Sequence, residues 1–158
     1  MSPHRVTLEP GGVHSRDGRL PDGLTHRAWE RNKPLAWNVT VLDTYALGYR
    51  GLALQGVGMI IHQREMHTRR FYSHLIQDHI FLSAFGLESS GVWGKDALKL
   101  TKALGRKLFE ATAERRSTAF LRQRIALELQ RGNAKMVLAG RTPVQEINDP
   151  IICNNYNI

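Results

Sequence analysis

Leu20-Pro21-Asp22-Gly23, followed after a polar interval by Leu35-Ala36-Trp37-Asn38-Val39-Thr40-Val41, decides how this chain is read. Leu35 to Leu42 is rich in β-branched residues and follows the polar run Glu30-Arg31-Asn32-Lys33-Pro34, the pattern of a turn leading into a strand. Gly23 to Trp29 reads as a shorter strand before that turn, and the two together form a hairpin. The hairpin sets an acidic residue, Asp22, at the entry of one strand and a polar residue, Asn38, in the middle of the next. Pro21-Asp22-Gly23 also fits a plain turn, because all three residue types favour chain reversal.

Outward from the hairpin, residues 1–19 mix Gly, Pro, His and Arg without periodicity and read as a mobile approach to a domain spanning residues 20–140. Gly48, Gly51, Gly56 and Gly58 interrupt an apolar stretch and weaken any helix there by about 1 kcal/mol each. Met59 to Leu75 has helical spacing, with Met59, Met66 and Leu75 as candidate buried positions and His62, Arg69 and Arg70 more exposed. His79 to Leu87 is a compact, mostly apolar run, the pattern of a strand buried on both faces at the centre of a sheet.

Two further helices follow. In Gly94 to Thr112, Ala97, Leu100, Leu104, Leu108 and Ala111 form an apolar stripe, and Lys95, Lys99, Lys102 and Arg106 form a basic one. In Ser117 to Leu138, Leu121, Ile125 and Leu129 recur every four residues, Arg124, Arg131 and Lys135 share another face, and Ser117 is the expected N-cap. Gly140 and Pro143 close this helix, and residues 141–158 read as an irregular tail. The expected fold is therefore α/β: a small central mixed sheet with an N-terminal hairpin, flanked by three helices of which the last two form an amphipathic pair.

At 158 residues, with 42% apolar and 23% charged residues, one globular domain is expected. The 22 Lys and Arg against 14 Asp and Glu give a net charge of +8 and a pI near 10.1. Such an excess favours a polyanionic partner, because Lys and Arg on a phosphate backbone gain affinity by releasing counterions. The single Cys153 excludes an intrachain disulfide and a cysteine-built zinc site, which favours an intracellular compartment, the nucleus included. No apolar run approaches the roughly 20 residues of a membrane span, so no membrane partner is expected; the oligomeric state is not legible. The seven histidines offer no zinc pattern. Trp29, Trp37 and Trp93, at strand ends, read as packing groups before base-stacking ones.

Cleaving a phosphodiester at neutral pH calls for a metal that lowers the pKa of water and offsets charge on the phosphate; Mg²⁺ does this with hard oxygen ligands. Two carboxylates on neighbouring strands are the usual holder, and a lysine commonly steadies the water or the transition state. Asp22 supplies one carboxylate, and Asn38 stands at the second position.

A resemblance sharpens this reading. The series Leu8-Glu9-Pro10, Asp17-Gly18, Pro21-Asp22-Gly23-Leu24-Thr25, Trp29, Lys33, Leu35, Trp37, Val39-Thr40 and Asp43-Thr44 resembles the C-terminal domain behind the reverse transcriptase of animal non-LTR-type retroelements. It continues through Tyr72-Ser73-His74-Leu75, Glu88-Ser89-Ser90-Gly91-Val92-Trp93-Gly94, Leu104-Gly105-Arg106, Phe120-Leu121-Arg122-Gln123-Arg124 and Gln130-Arg131-Gly132-Asn133-Ala134. That family is similar to restriction-enzyme-like nucleases of the PD-(D/E)XK class, so the resemblance implies a mixed α/β fold and a DNA-nicking ancestry. It matches Asp22 to the Asp of the PD motif and sets Asn38 where the family has Asp. Leu20 stands where Arg commonly precedes Pro-Asp, and Thr68 and Phe71 fall where helix lysines are sought, leaving Arg69 and Arg70 as the nearby cations.

The departures fall on the chemistry. An amide at Asn38 offers a metal one oxygen and no charge, and an arginine with a pKa above about 12 is a poor general base. The expectation is a catalytically impaired, endonuclease-like domain, with Mg²⁺ as cofactor only if activity survives and Asp22 and Asn38 as its ligands. It would bind nucleic acid, DNA first, through phosphate contacts from Lys95, Lys99, Lys102, Arg106, Arg124, Arg131 and Lys135. Two alternatives stand beside it: an active Mg²⁺-dependent nickase in which Glu88 or Asp43 restores the missing charge, and an interaction module of a retroelement polyprotein. Glu88 also fits as a cap for the helix beginning near Gly94 or as a partner in the Ser89-Ser90 turn.

Overall fold

The computed structural model describes residues 6–8, 21–73 and 81–140. Four strands form one sheet in the order β1 (Val6–Leu8), β2 (Gly23–Thr25), β3 (Leu35–Leu42) and β4 (Phe81–Glu88). The first three pair antiparallel, whereas β3 and β4 run parallel over their full length, from Leu35 beside Phe81 to Leu42 beside Glu88. A parallel pair needs a crossover, and here it contains the single turn α1 (Arg50–Ala53) and the helix α2 (Met59–Phe71). After β4 come the long helices α3 (Lys95–Thr112) and α4 (Ser117–Ala139). The mixed α/β sheet, the hairpin and the three long helices agree with the sequence reading.

The hairpin turns on Arg31 and Asn32, both at positive φ, with Lys33 N–H donating to Glu30 O at 2.8 Å. Two central residues of that kind match the twist of the flanking strands, which explains so tight a reversal. The strand expected over Gly23 to Trp29 is only Gly23–Thr25: Thr25 still pairs with Val6, but toward β3 its hydroxyl replaces the backbone, accepting from Leu35 N–H and donating to Arg27 O. Within residues 1–19, Val6–Leu8 pairs with β2; the remainder of that approach and the tail at 141–158 lie outside the described residues.

β4 is an edge strand of the described sheet, not its centre, yet Ser83 through Glu88 are all buried. The apolar run reads as central because α2 covers one face, α3 the other, and the returning chain covers the edge. Gly94 N–H donates to Gly86 O and Glu88 N–H to Val92 O, satisfying groups that an open edge would leave bare. His79 and Ile80, the first residues of the expected strand, lie outside the described residues.

Each sheet face has its own apolar cluster. Leu42, Ile60 and Ile61, with Tyr49 and Leu52, fill the α2 side; Phe85, Leu87 and Ala97, with Trp93, Leu100 and Ile125, fill the other. The buried positions of α2 are Ile60, Ile61, Glu65 and Thr68, whereas Met66 is exposed and Met59 only half-buried. The expected methionine face is thus turned outward, and Leu75 lies outside the described residues. Methionine fills gaps wherever they fall, and it gave a false apolar face here. In α4 the N-cap is Arg116, with Ser117 one position inside, its hydroxyl donating to Glu114 O at 2.7 Å.

Candidate functional site

Pro21 is fully buried, and the ring of Trp37 lies where any β-carbon on Gly23 would stand. Gly23 therefore pairs with Trp37 on one face, and Asp22 between these anchors turns to the other. Continuing the register Gly23 to Trp37 by one residue sets Asp22 opposite Asn38. Asn38 in turn pairs with Ala84, and two residues on Thr40 pairs with Gly86, whose missing side chain admits Ile61 of α2. Alternation along the strands puts Asp22, Asn38 and Thr40 on the face that carries α2.

Both side chains are half-buried and locally engaged. Asp22 Oδ2 accepts from Val39 N–H at 2.5 Å, and Asn38 Oδ1 accepts from the Thr40 hydroxyl at 3.4 Å. A divalent ion of the Mg²⁺ type wants hard oxygens carrying charge. One carboxylate, with an oxygen already on a backbone N–H, and one neutral amide do not fit that demand. Among the described residues no group of three or more His, Cys, Asp or Glu side chains gathers at metal-binding distance.

Neither proposed substitute reaches this position. Glu88 lies four residues beyond the Asn38 partner Ala84, roughly 13 Å along the strand. Its carboxylate accepts from Ile61 N–H at 3.3 Å, near the start of α2, and from the hydroxyls of Thr44 and Ser90. It caps α2 instead of the helix after Gly94. Asp43 lies further still, accepting from Tyr45 N–H at 3.0 Å and from the Ser89 hydroxyl.

Asp22 and Asn38 are brought together, whereas Arg69 and Arg70 point elsewhere. Successive helix residues are 100° apart, so with Ile61, Glu65 and Thr68 on the sheet side Arg70 falls on the far side and Arg69 on the flank toward α3. Arg69 pairs with Asp96 at the start of α3, its Nε donating to Oδ2 at 2.8 Å. That hydrogen bond raises the guanidinium pKa further and fixes its charge. Arg70 lines an outer cleft of about 410 Å³ with His62, Met66 and His67. The α2 cation that shares a flank with Ile60, and so with β3, is Arg64. Its spacing from Ile60 was the available signal. Thr68 is buried on the sheet side of α2, and Phe71 meets Tyr72 edge-on at 4.9 Å.

Sequence reasoning also missed Glu65, a buried carboxylate that organises the start of α3. Its Oε1 accepts from Asp96 N–H at 3.0 Å, and no side chain could replace the hydrogen of Gly94 beside it. Burial pushes the Glu65 carboxyl above the usual range and the Asp96 charge adds to this, against the Asp96 and Ala97 N–H groups and Arg69.

The two basic stripes differ. Lys95, Lys99, Lys102 and Arg106 are exposed on α3, and Lys95 and Lys99 line a cleft of about 210 Å³ with His62, Glu65, Met66 and Arg69 of α2. On α4, Arg124 and Arg131 are exposed but bracket Glu128, at 3.3 and 2.8 Å; Lys135 is exposed one turn beyond. The tryptophans are engaged: Trp93 packs on Phe85, Trp37 covers Gly23, and Lys107 sits 4.7 Å from the Trp29 ring. No helix of the described residues is long and apolar enough to cross a membrane. Compared with known proteins, the chain matches no family model and no curated protein.

Proposed function

We propose that this chain is a degenerate, retroelement-derived endonuclease-like domain, catalytically impaired, that binds nucleic acid through a basic surface. The observation that supports it most is the cross-strand pair of Asp22 and Asn38 on the α2 face of the sheet. Phosphodiester hydrolysis by a divalent ion calls for two carboxylates at such a position, and this chain brings one. The exposed lysines of α3 remain suited to phosphate.

Nicking of supercoiled plasmid with Mg²⁺ or Mn²⁺ tests the reading on wild type, Asp22→Ala and Asn38→Asp. Wild type and Asp22→Ala are expected to leave the plasmid intact, and Asn38→Asp to produce open circles. Robust nicking by wild type that disappears in Asp22→Ala overturns the impairment.

A second reading, an interaction module, draws on Met136, Val137 and Leu138, consecutive apolar residues 55%, 62% and 62% exposed at the end of α4. A concentration-dependent dimer without nucleic-acid affinity would favour it.

A further inference from the structure

The cleft between α2 and α3 gathers cations from two elements. Lys95 and Lys99 stand one turn apart on α3 and face His62 and Arg69 across a space of about 210 Å³. That is several times the roughly 30 Å³ share of a liquid water, and so has room for a phosphate group. The two lysines repel each other at this spacing. Among the described residues no carboxylate forms an ion pair with either. The carboxylates nearest in sequence or lining the cleft are otherwise occupied: Asp96 holds Arg69, and Glu65 receives the N–H of Asp96. Two ammonium groups without an ion-pair partner among the described residues thus line the cleft, with an imidazole opposite; the lining carries one carboxylate, Glu65, against these two lysines and Arg69. On α4, by contrast, Arg124 and Arg131 already share Glu128.

We propose that the α2/α3 cleft is a phosphate-binding site in which Lys95 Nζ and Lys99 Nζ, with the His62 ring opposite, take one phosphate group. The group comes from a nucleic-acid backbone or from free phosphate. This inference rests on the nucleic-acid reading and narrows it: the anchoring contact lies between α2 and α3, and the α4 stripe is secondary. Lys102 and Arg106 extend the same stripe along α3, so a backbone seated in the cleft would run on past them.

The test is fluorescence anisotropy with labelled single-stranded and duplex oligonucleotides at fixed salt, on wild type, Lys95→Glu/Lys99→Glu, the milder Lys95→Gln/Lys99→Gln, and Arg124→Glu/Arg131→Glu. All four lysine and arginine positions are exposed, and circular dichroism checks that each variant folds. The expected result is a loss of about 10-fold or more for the lysine reversals, a smaller loss for the glutamines, and less than about 3-fold for the arginine reversals. Equal losses in both reversals, or a loss confined to the arginine variant, overturn the cleft and leave nucleic-acid binding standing. If wild type binds no oligonucleotide, the nucleic-acid reading fails, and amide NMR with inorganic phosphate decides the cleft. Saturable shifts at His62, Lys95 and Lys99, absent in the double glutamine variant, retain it as a free-phosphate site; no shifts overturn it.

Discussion

Glu65 accepts a hydrogen bond from Asp96 N–H at the start of α3 while lying beside the Asp96 carboxylate in a buried position. Its folded pKa is raised, so the folded state binds the proton more tightly than the unfolded chain. Its contribution to stability is therefore fully present below the ordinary carboxylate range and is lost as pH rises through the folded value. Glu65→Gln keeps an oxygen acceptor for Asp96 N–H and removes the titration. Urea midpoints measured from about pH 4 to about pH 7 should fall less in this variant than in wild type. At the other end of the same helix, Ala113 sits at φ 58°, where its N–H donates to Phe109 O and closes α3. A left-handed C-terminal position suits glycine, so Ala113→Gly should stabilise by roughly 1 kcal/mol and raise Tm in a thermal melt. At this scale Pro21-Asp22-Gly23 was legible as the entry to the hairpin. Glu65 was not, since a carboxylate reads as solvated until the packing around it is known.

The helices α3 and α4 meet where Gly105 lies against Thr118, whose Cα is 2.7 Å from the place a β-carbon on Gly105 would take. Gly105→Ala should force the pair apart and cost about 1–3 kcal/mol, read as a lower urea midpoint with an unchanged m-value. The existence and limits of these helices followed from their 3.6-residue periodicity, and Ala97, Leu100 and Ile125 join the expected core. The outer parts of their stripes did not: Leu108 is 42% exposed. Helix α2 was legible as a helix but not in its buried face, since Glu65 and Thr68 are polar residues on the sheet side. The position of β4 at the edge was also hidden, because a run buried by helices and a returning loop has the same composition as one buried by neighbouring strands.

Across the whole molecule, a net charge of +8 gives the reason to propose a polyanionic partner, and the distribution of that charge decides where one would dock. If the four cations of α3 carry the contact, log K should fall with log salt at a slope of about −3 to −4; a slope near −6 would mean that the α4 stripe engages as well. Salt-titrated anisotropy with a random-sequence duplex measures this. Turn chemistry, short-range periodicity and composition were enough to read the hairpin, the long helices, the mixed α/β class and the net positive charge. Packing was needed to set Asp22 opposite Asn38, to draw Arg69 to Asp96, to place Glu88 at the start of α2 and to bring Lys95 and Lys99 into one cleft with His62. Those are juxtapositions of residues from different elements, fixed by strand register and by the rotation of each helix on the sheet, and neither is carried by a local pattern.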